Sequence, residues 1–94
     1  MKYKEIFRLK EMLEKATIPF KFKHVFRNGY QIVYPNDTFI CSVIEHDFSY
    51  GSDEDLLEIM GLLTYEERKL DSVKGWLTAE NVFERIKKHY EEVK

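Results

Sequence analysis

The densest group of titratable side chains in this sequence is Glu45, His46 and Asp47. A carboxylate beside an imidazole is suited to general acid and base catalysis, and Cys41, four residues before Glu45, could supply a thiol nucleophile. In a regular strand, however, Cys41 and His46 point to opposite faces, so a catalytic Cys–His pair is not expected. The sequence also lacks the helical His pair or Cys-x-x-Cys spacing that is typical of metal ligands. A small enzyme that uses Glu45, His46 and Asp47 is therefore a minor alternative, and we predict no metal or cofactor.

An apolar stripe predicts a helix at the start of the chain, from about Tyr3 to Ala16. Apolar residues recur there at intervals of three and four, the period of one helix face. Ile18-Pro19 should end this helix, because the residue before a proline is driven towards extended geometry.

Three strands should follow, from Phe20 to Arg27, from Tyr30 to Tyr34 and from Phe39 to Glu45. Asn28-Gly29 is the strongest signal for a two-residue hairpin turn, because both turn positions need a positive φ. A second turn at Pro35-Asn36-Asp37-Thr38 would join the second and third strands. The sequence thus predicts a three-stranded antiparallel meander.

The rest of the sequence, after the third strand, is predicted to be mainly helical. Ser52, followed by three acidic residues, resembles a helix start, and Gly61 is a suitable stop for a helix with Leu56, Leu57, Ile59 and Met60 on its buried side. A capping box at Thr64 predicts a short helix to about Leu70, and we expect the stretch from Asp71 to Gly75 to be a loop. Thr78 should cap the last helix, with the Trp76 ring buried beneath it. The predicted fold is a single α+β domain spanning residues 1–94, with two or three C-terminal helices packed on the sheet.

The hairpin register sorts the strand residues into two faces. With a two-residue turn, Val25 lies opposite Ile32 and His24 opposite Val33. One face would be a core face holding Phe20, Phe22, His24, Phe26, Gln31, Val33, Ile40, Ser42 and Ile44. The other would hold Lys21, Lys23, Val25, Arg27, Tyr30, Ile32, Tyr34, Phe39, Cys41, Val43 and Glu45. Both faces are largely apolar, and a short chain has little material to cover both.

Three interpretations of the second face remain open. Helices could cover its strands 2 and 3, with the lysines of strand 1 guarding a sheet edge. The face could instead be an open, basic and aromatic platform for single-stranded nucleic acid, formed by Lys21, Lys23, Arg27 and the two tyrosines. Finally, it could be a patch for a protein partner or a second copy of the chain. That patch would consist of Tyr30, Ile32, Tyr34 and Phe39.

Composition limits the other classes. The formal charge of −2 gives no overall attraction to nucleic acid, and no apolar run approaches the length needed to cross a bilayer. A single cysteine cannot form an internal disulfide, and the sequence opens without a charged and then apolar leader. We therefore expect a cytoplasmic protein that does not associate with membranes.

Several segments together resemble small phage- or prophage-encoded proteins of Gram-positive bacteria that have no assigned activity. These segments are Gly29 to Pro35, Cys41 to His46, Tyr50-Gly51-Ser52, Leu56 to Leu63 and Gly75 to Glu80. The resemblance implies a bacterial host cell and contributes no catalytic residues. Our leading hypothesis is a non-enzymatic interaction module that self-associates or binds a protein through the sheet face around Tyr30, Ile32, Tyr34 and Phe39.

Overall fold

The fold is α+β: an N-terminal helix, a five-stranded antiparallel sheet and two further helices. The structure is a computed structural model that describes residues 4–25, 29–45 and 56–93. The helices are α1 (Lys4–Lys15), α2 (Tyr65–Leu70) and α3 (Ala79–Val93). The strands are β1 (Lys21–Val25), β2 (Gly29–Tyr34), β3 (Cys41–Glu45), β4 (Leu57–Met60) and β5 (Val73–Leu77). The sheet order is β1-β2-β3-β4-β5, with every neighbouring pair antiparallel.

Helix α1 confirms the apolar stripe, and it ends in a Schellman motif before the proline. The amide of Ile18 donates to the carbonyl of Leu13, and the amide of Thr17 donates to the carbonyl of Glu14. Leu13 and Ile18 are both buried, which supplies the hydrophobic contact that accompanies this motif. Thr17 sits at the left-handed position with φ of 55°, where glycine is the usual residue. The chain then turns directly into β1.

The β1–β2 register differs from the predicted one, and this changes which residues share a face. His24 pairs with Tyr30 and Phe22 with Ile32, so Val25 and Gly29 close the hairpin. The connection is therefore three residues, 26–28, rather than two. Relative to the prediction, the pairing slips by three residues, and an odd slip moves every β1 side chain to the other face. Phe22 and His24 now lie on the same face as Tyr30 and Ile32.

The predicted helix ending at Met60 is wrong over the part that the structure describes, because Leu57–Met60 forms strand β4. Val43 pairs with Ile59 and Ser42 with Met60. Leu57 and Ile59 are fully buried, whereas Met60 is exposed. Apolar side chains at 57, 59 and 60 fit both the helical period of 3.6 residues and the strand period of 2. Pairing with β3 stabilises the strand instead of the helix. The predicted start of that helix, Ser52 to Asp55, lies outside the described residues.

Gly61 turns the chain from β4 towards α2, and its lack of a side chain is required there. Its φ is +93°, and a Cβ atom at this position would lie 2.3 Å from the carbonyl oxygen of Ile40. Helix α2 then begins with the predicted capping box. Thr64 Oγ1 accepts from the amide of Glu67, and Glu67 Oε1 accepts from the amide of Thr64.

The predicted loop from Asp71 to Gly75 is also wrong, since Val73–Leu77 forms β5 at the sheet edge. The register between β4 and β5 shifts between Leu57 and Ile59, where β5 carries one extra residue. Trp76 lies in this irregular stretch with φ of 57°, which is a strained conformation for a bulky side chain. A sheet edge interrupted in this way pairs poorly with another strand.

The core lies between the sheet and helices α1 and α3. Thr78 caps α3 as predicted, with its Oγ1 accepting from the amide of Asn81. The buried cluster joins residues of both helices to alternate residues of the strands: Ile6, Leu9, Leu13, Ile18, Ile32, Tyr34, Cys41, Val43, Leu57, Ile59, Leu77, Ala79, Val82 and Ile86. We call the sheet face in this cluster the inner face and the opposite one the outer face. None of the three described helices has the length and apolar composition needed to cross a membrane.

Two buried glutamates tie the layers together at helix starts. Glu45, at the end of β3, accepts from the amide of Ile6 at 3.1 Å, in the first turn of α1. Glu5, within α1, accepts from the amide of Ala79 at 3.0 Å, at the start of α3. Helix N-termini leave backbone amides without intrahelical partners and carry a partial positive charge, so both carboxylates are stabilised there.

Candidate interaction surface

The four residues of the predicted partner patch do not form one exposed surface. Ile32 and Tyr34 are buried in the core, and Tyr30 is half-buried. The Tyr30 ring stacks on Phe22, with ring centroids 5.4 Å apart, and Phe7 of α1 meets its edge at 4.7 Å. Only Phe39 is exposed, at 45%. The face chosen from the sequence is thus the inner face, covered by α1 and α3, as the helix-cover interpretation proposed.

Tyr34 has a polar partner inside this layer. Its hydroxyl lies 2.8 Å from Nδ1 of His89 on α3, and the two rings meet edge-on. Burial raises the pKa of the Tyr34 phenol, and its neighbour Cys41 adds to the effect. Tyrosine at this position therefore joins β2 to α3 with a satisfied polar atom and a buried ring.

The structure separates the basic and aromatic parts of the predicted nucleic-acid platform. Lys21 and Lys23 lie on the outer face, while Tyr30 and Tyr34 lie on the inner face. Both lysines form ion pairs with Asp37, Lys21 at 2.9 Å. Hydrogen bonds from Lys23 and then Lys21 lower the pKa of the Asp37 carboxyl to about 2. Two of the three proposed cations are thus already paired with a carboxylate, and the third, Arg27, lies outside the described residues.

The Glu-His-Asp cluster is described only in part. Glu45, the last residue of β3, is fully buried against the first turn of α1. His46 and Asp47 lie outside the described residues. The Cys41 thiol is also fully buried, and burial raises its pKa to about 12. A thiol with that pKa is protonated near neutral pH and is a poor nucleophile. Within residues 4–25, 29–45 and 56–93, no three His, Cys, Asp or Glu side chains are grouped to hold a metal ion.

Two aromatic residues lie elsewhere than the sequence predicted. His24, expected in the core, is exposed at the sheet edge, with its ring 5.2 Å from Tyr30. Trp76, expected beneath the last helix, is 56% exposed on β5. His24 lies on the inner face but near the end of the edge strand β1, where it stays exposed. The irregular stretch of β5 explains the exposure of Trp76.

Three of the exposed apolar side chains, Ile40, Met60 and Trp76, lie on strands β4 and β5 or just before β3. Met60 is 48% exposed and pairs across the sheet with Ser42, while Ile40, just before β3, is 44% exposed. Strand alternation puts Ile40 on the side opposite to buried Cys41, diagonal to Met60. Trp76 lies on the neighbouring strand β5, three residues beyond Val73, which is the partner of Met60. We call Ile40, Met60 and Trp76 the outer patch.

The three residues of this patch are all apolar in the sequence, but their pattern predicts different elements for them. From the sequence, Ile40 is expected in a core face, Met60 on a helix and Trp76 beneath α3. Each assignment followed from a boundary or register that depends on tertiary pairing. Val33 and Ser42, near the middle of the same face, are buried, so the exposed apolar side chains do not extend across the whole of this face.

Comparison with protein-family models, with curated proteins and with solved structures gives no match for this chain.

Proposed function

We propose that this chain is a non-enzymatic interaction module that binds a protein surface through the outer patch, in the cytoplasm of a bacterial host cell. The observation that carries the proposal is the exposure of Ile40, Met60 and Trp76, each between 44% and 56%, on a chain whose inner sheet face packs against α1 and α3. Aromatic residues and methionine are enriched where proteins dock. The resemblance to small phage-encoded proteins is the basis for placing the chain in a bacterial host cell.

Protection of both sheet edges favours docking through a face rather than by strand addition. At β1, Lys21 and Lys23 point outwards and pair with Asp37. At β5, the shifted register disturbs the ladder. Charged residues and bulges of this kind discourage pairing with a foreign strand. A partner is therefore expected to pack on side chains of the outer patch.

Site-specific photocrosslinking in bacterial cells tests the proposal. A benzophenone amino acid would replace Met60 in one variant and Leu70 in a matched control. Leu70 is 88% exposed on α2 and lies outside the patch. The proposal expects a discrete covalent adduct with a protein from position 60, and not from position 70. Adducts from neither position, or equally from both, would contradict it.

A further inference from the structure

A hollow of about 510 Å³ lies beside the connection between β4 and α2. Its lining residues are Gly61, Leu62, Leu63, Arg68 and Ser72. Small-molecule sites in proteins measure about 300 to 1,000 Å³ and combine apolar walls with a few polar groups. The hollow meets both conditions, because it has that size and only two of its lining residues, Arg68 and Ser72, carry polar side chains.

Hydrogen bonds fix the two walls of the hollow relative to each other. One wall is the connecting segment 61–63, and the other is helix α2, which carries Arg68. Arg85 on α3 donates to the carbonyl of Leu62 at 3.1 Å, and both of its terminal nitrogens donate to the Glu67 carboxylate. The hollow is therefore preorganised, and a ligand that enters it does not have to order the chain first.

The charge of the lining is positive and is not neutralised within the described part of the chain. Arg68 is the one charged residue of the five, and it is exposed. Among the described residues, its guanidinium takes part in no ion pair. By contrast, the neighbouring Glu67 is paired with Arg85, and Asp71 accepts from the Ser72 amide at 2.7 Å. These two carboxylates already have donors, so the Arg68 guanidinium is left for an external anion.

The rest of the lining favours an apolar body on that anion. Leu62 and Leu63 are half-buried and pack against the core, and Gly61 adds no side chain to the space. One guanidinium balances one negative charge, which a carboxylate carries, whereas a phosphate group carries up to about two. A carboxylate also matches the planar guanidinium with two parallel hydrogen bonds.

We propose that the hollow binds a small organic acid. Its carboxylate meets Arg68, and its short, branched apolar body lies against Leu62 and Leu63. This site is separate from the outer patch and goes beyond the proposed function.

Titration with 4-methylpentanoate, followed by NMR of the ¹⁵N-labelled chain, tests the proposal. We expect saturable shifts at the amides of residues 61–63, Arg68 and Ser72, with a dissociation constant of about 1 mM or below, which is within reach of a small ligand. The neutral 4-methylpentanamide has the same shape and lacks the charge. It should bind at least about 10-fold more weakly.

Two variants and a matched control assign the binding to the hollow. Arg68→Gln should weaken binding of the acid by about 10- to 150-fold, the range of a charge-assisted hydrogen bond. Ser72→Leu should abolish binding, because it fills the hollow without changing its charge. Lys69→Gln removes the adjacent cation of α2 and should leave binding unchanged. Circular dichroism spectra that match the original chain would show that each variant folds.

Three results would overturn the proposal. The first is the absence of saturable shifts at the lining amides, or shifts confined to other residues. The second is equal binding of the acid and its amide, and the third is an Arg68→Gln variant that binds the acid as tightly as the original chain. A photoadduct from position 60 is independent of these results, because Met60 does not line the hollow.

Discussion

At the scale of single residues, Thr17 occupies a position that glycine would fill at lower cost. It lies at the left-handed end of the α1 Schellman motif with φ of 55°, and its branched Cβ is crowded there. The side chain is exposed and its hydroxyl donates to the adjacent carbonyl of Ala16.

We predict that Thr17→Gly raises the free energy of unfolding by about 1 kcal/mol, because the left-handed conformation costs a non-glycine residue about that much. Urea denaturation would measure the change. Thr38→Gly, at an exposed turn position without positive φ, is the control and should give no gain. Equal effects of the two substitutions would contradict the assigned backbone geometry.

Glu67 on α2 and Arg85 on α3 form a bidentate ion pair between the two helices. Both Arg85 terminal nitrogens donate to the Glu67 carboxylate, at 2.7 and 2.8 Å, and one of them also donates to the carbonyl of Leu62. Hydrogen bonds from Arg85 lower the pKa of the Glu67 carboxyl from its ordinary 4.5 to about 2. A carboxyl whose pKa is lower in the folded state contributes stability above its unfolded pKa, and this contribution is lost as the pH falls towards the folded value.

Glu67→Gln should therefore lower the free energy of unfolding by about 1 to 3 kcal/mol at pH 7, the range for a charge-assisted and partly buried pair. The difference from the original chain should shrink as the pH falls from about 4.5 towards 2. Denaturant titrations across that range would measure it, with Glu66→Gln, exposed on the same helix, as the control. A difference that is constant with pH would show that the pair does not act in this way.

At the scale of elements, helices with a pattern that repeats over many residues were predicted correctly. Strands whose existence or register depends on pairing with another strand were not. Three features depend on local spacing, and the structure contains all three: helix α1, the capping box at Thr64 and the N-cap at Thr78. The β2–β3 faces were also sorted correctly, because the shift from the predicted pairing of Tyr34 with Phe39 to the observed pairing with Cys41 is an even one. Strands β4 and β5 were missed because four or five residues cannot distinguish periods of 2 and 3.6.

The β1–β2 hairpin shows how one loop residue changes the inferred site. Asn28-Gly29 indicated a two-residue turn, yet Gly29 is already part of β2. The resulting slip put Phe22 beside Tyr30 and turned the predicted docking face into the core. No local pattern in Lys21–Val25 could fix this register, since hydrophobic side chains occur on both of its faces.

Engineered disulfides can test this register. Lys23→Cys with Gln31→Cys joins direct cross-strand partners, so we expect an intramolecular disulfide to form under mild oxidation. His24→Cys with Val33→Cys is the pair that the two-residue turn would bring together, and it should remain reduced. Mass spectrometry after alkylation would distinguish the two states. Disulfide formation only in the second pair would refute the described register.

At the scale of the whole molecule, the α+β class and the single helix-covered core followed from the sequence, while the location of the remaining apolar surface did not. The sequence indicated more apolar sheet surface than the chain could cover, and the structure leaves Ile40, Met60 and Trp76 exposed. Which side is covered depends on how α1 and α3 dock, and that is decided by long-range contacts such as Glu5 with Ala79 and Tyr34 with His89.

Photocrosslinking from position 60 most directly tests whether the outer patch binds a protein surface. The account predicts a discrete protein adduct from the benzophenone amino acid at position 60, and it predicts that Ile40→Lys in the same chain removes that adduct. Leu70→Lys, which changes an exposed residue outside the patch, should leave the adduct unchanged. No adduct at position 60, or an adduct that survives Ile40→Lys, would contradict the account.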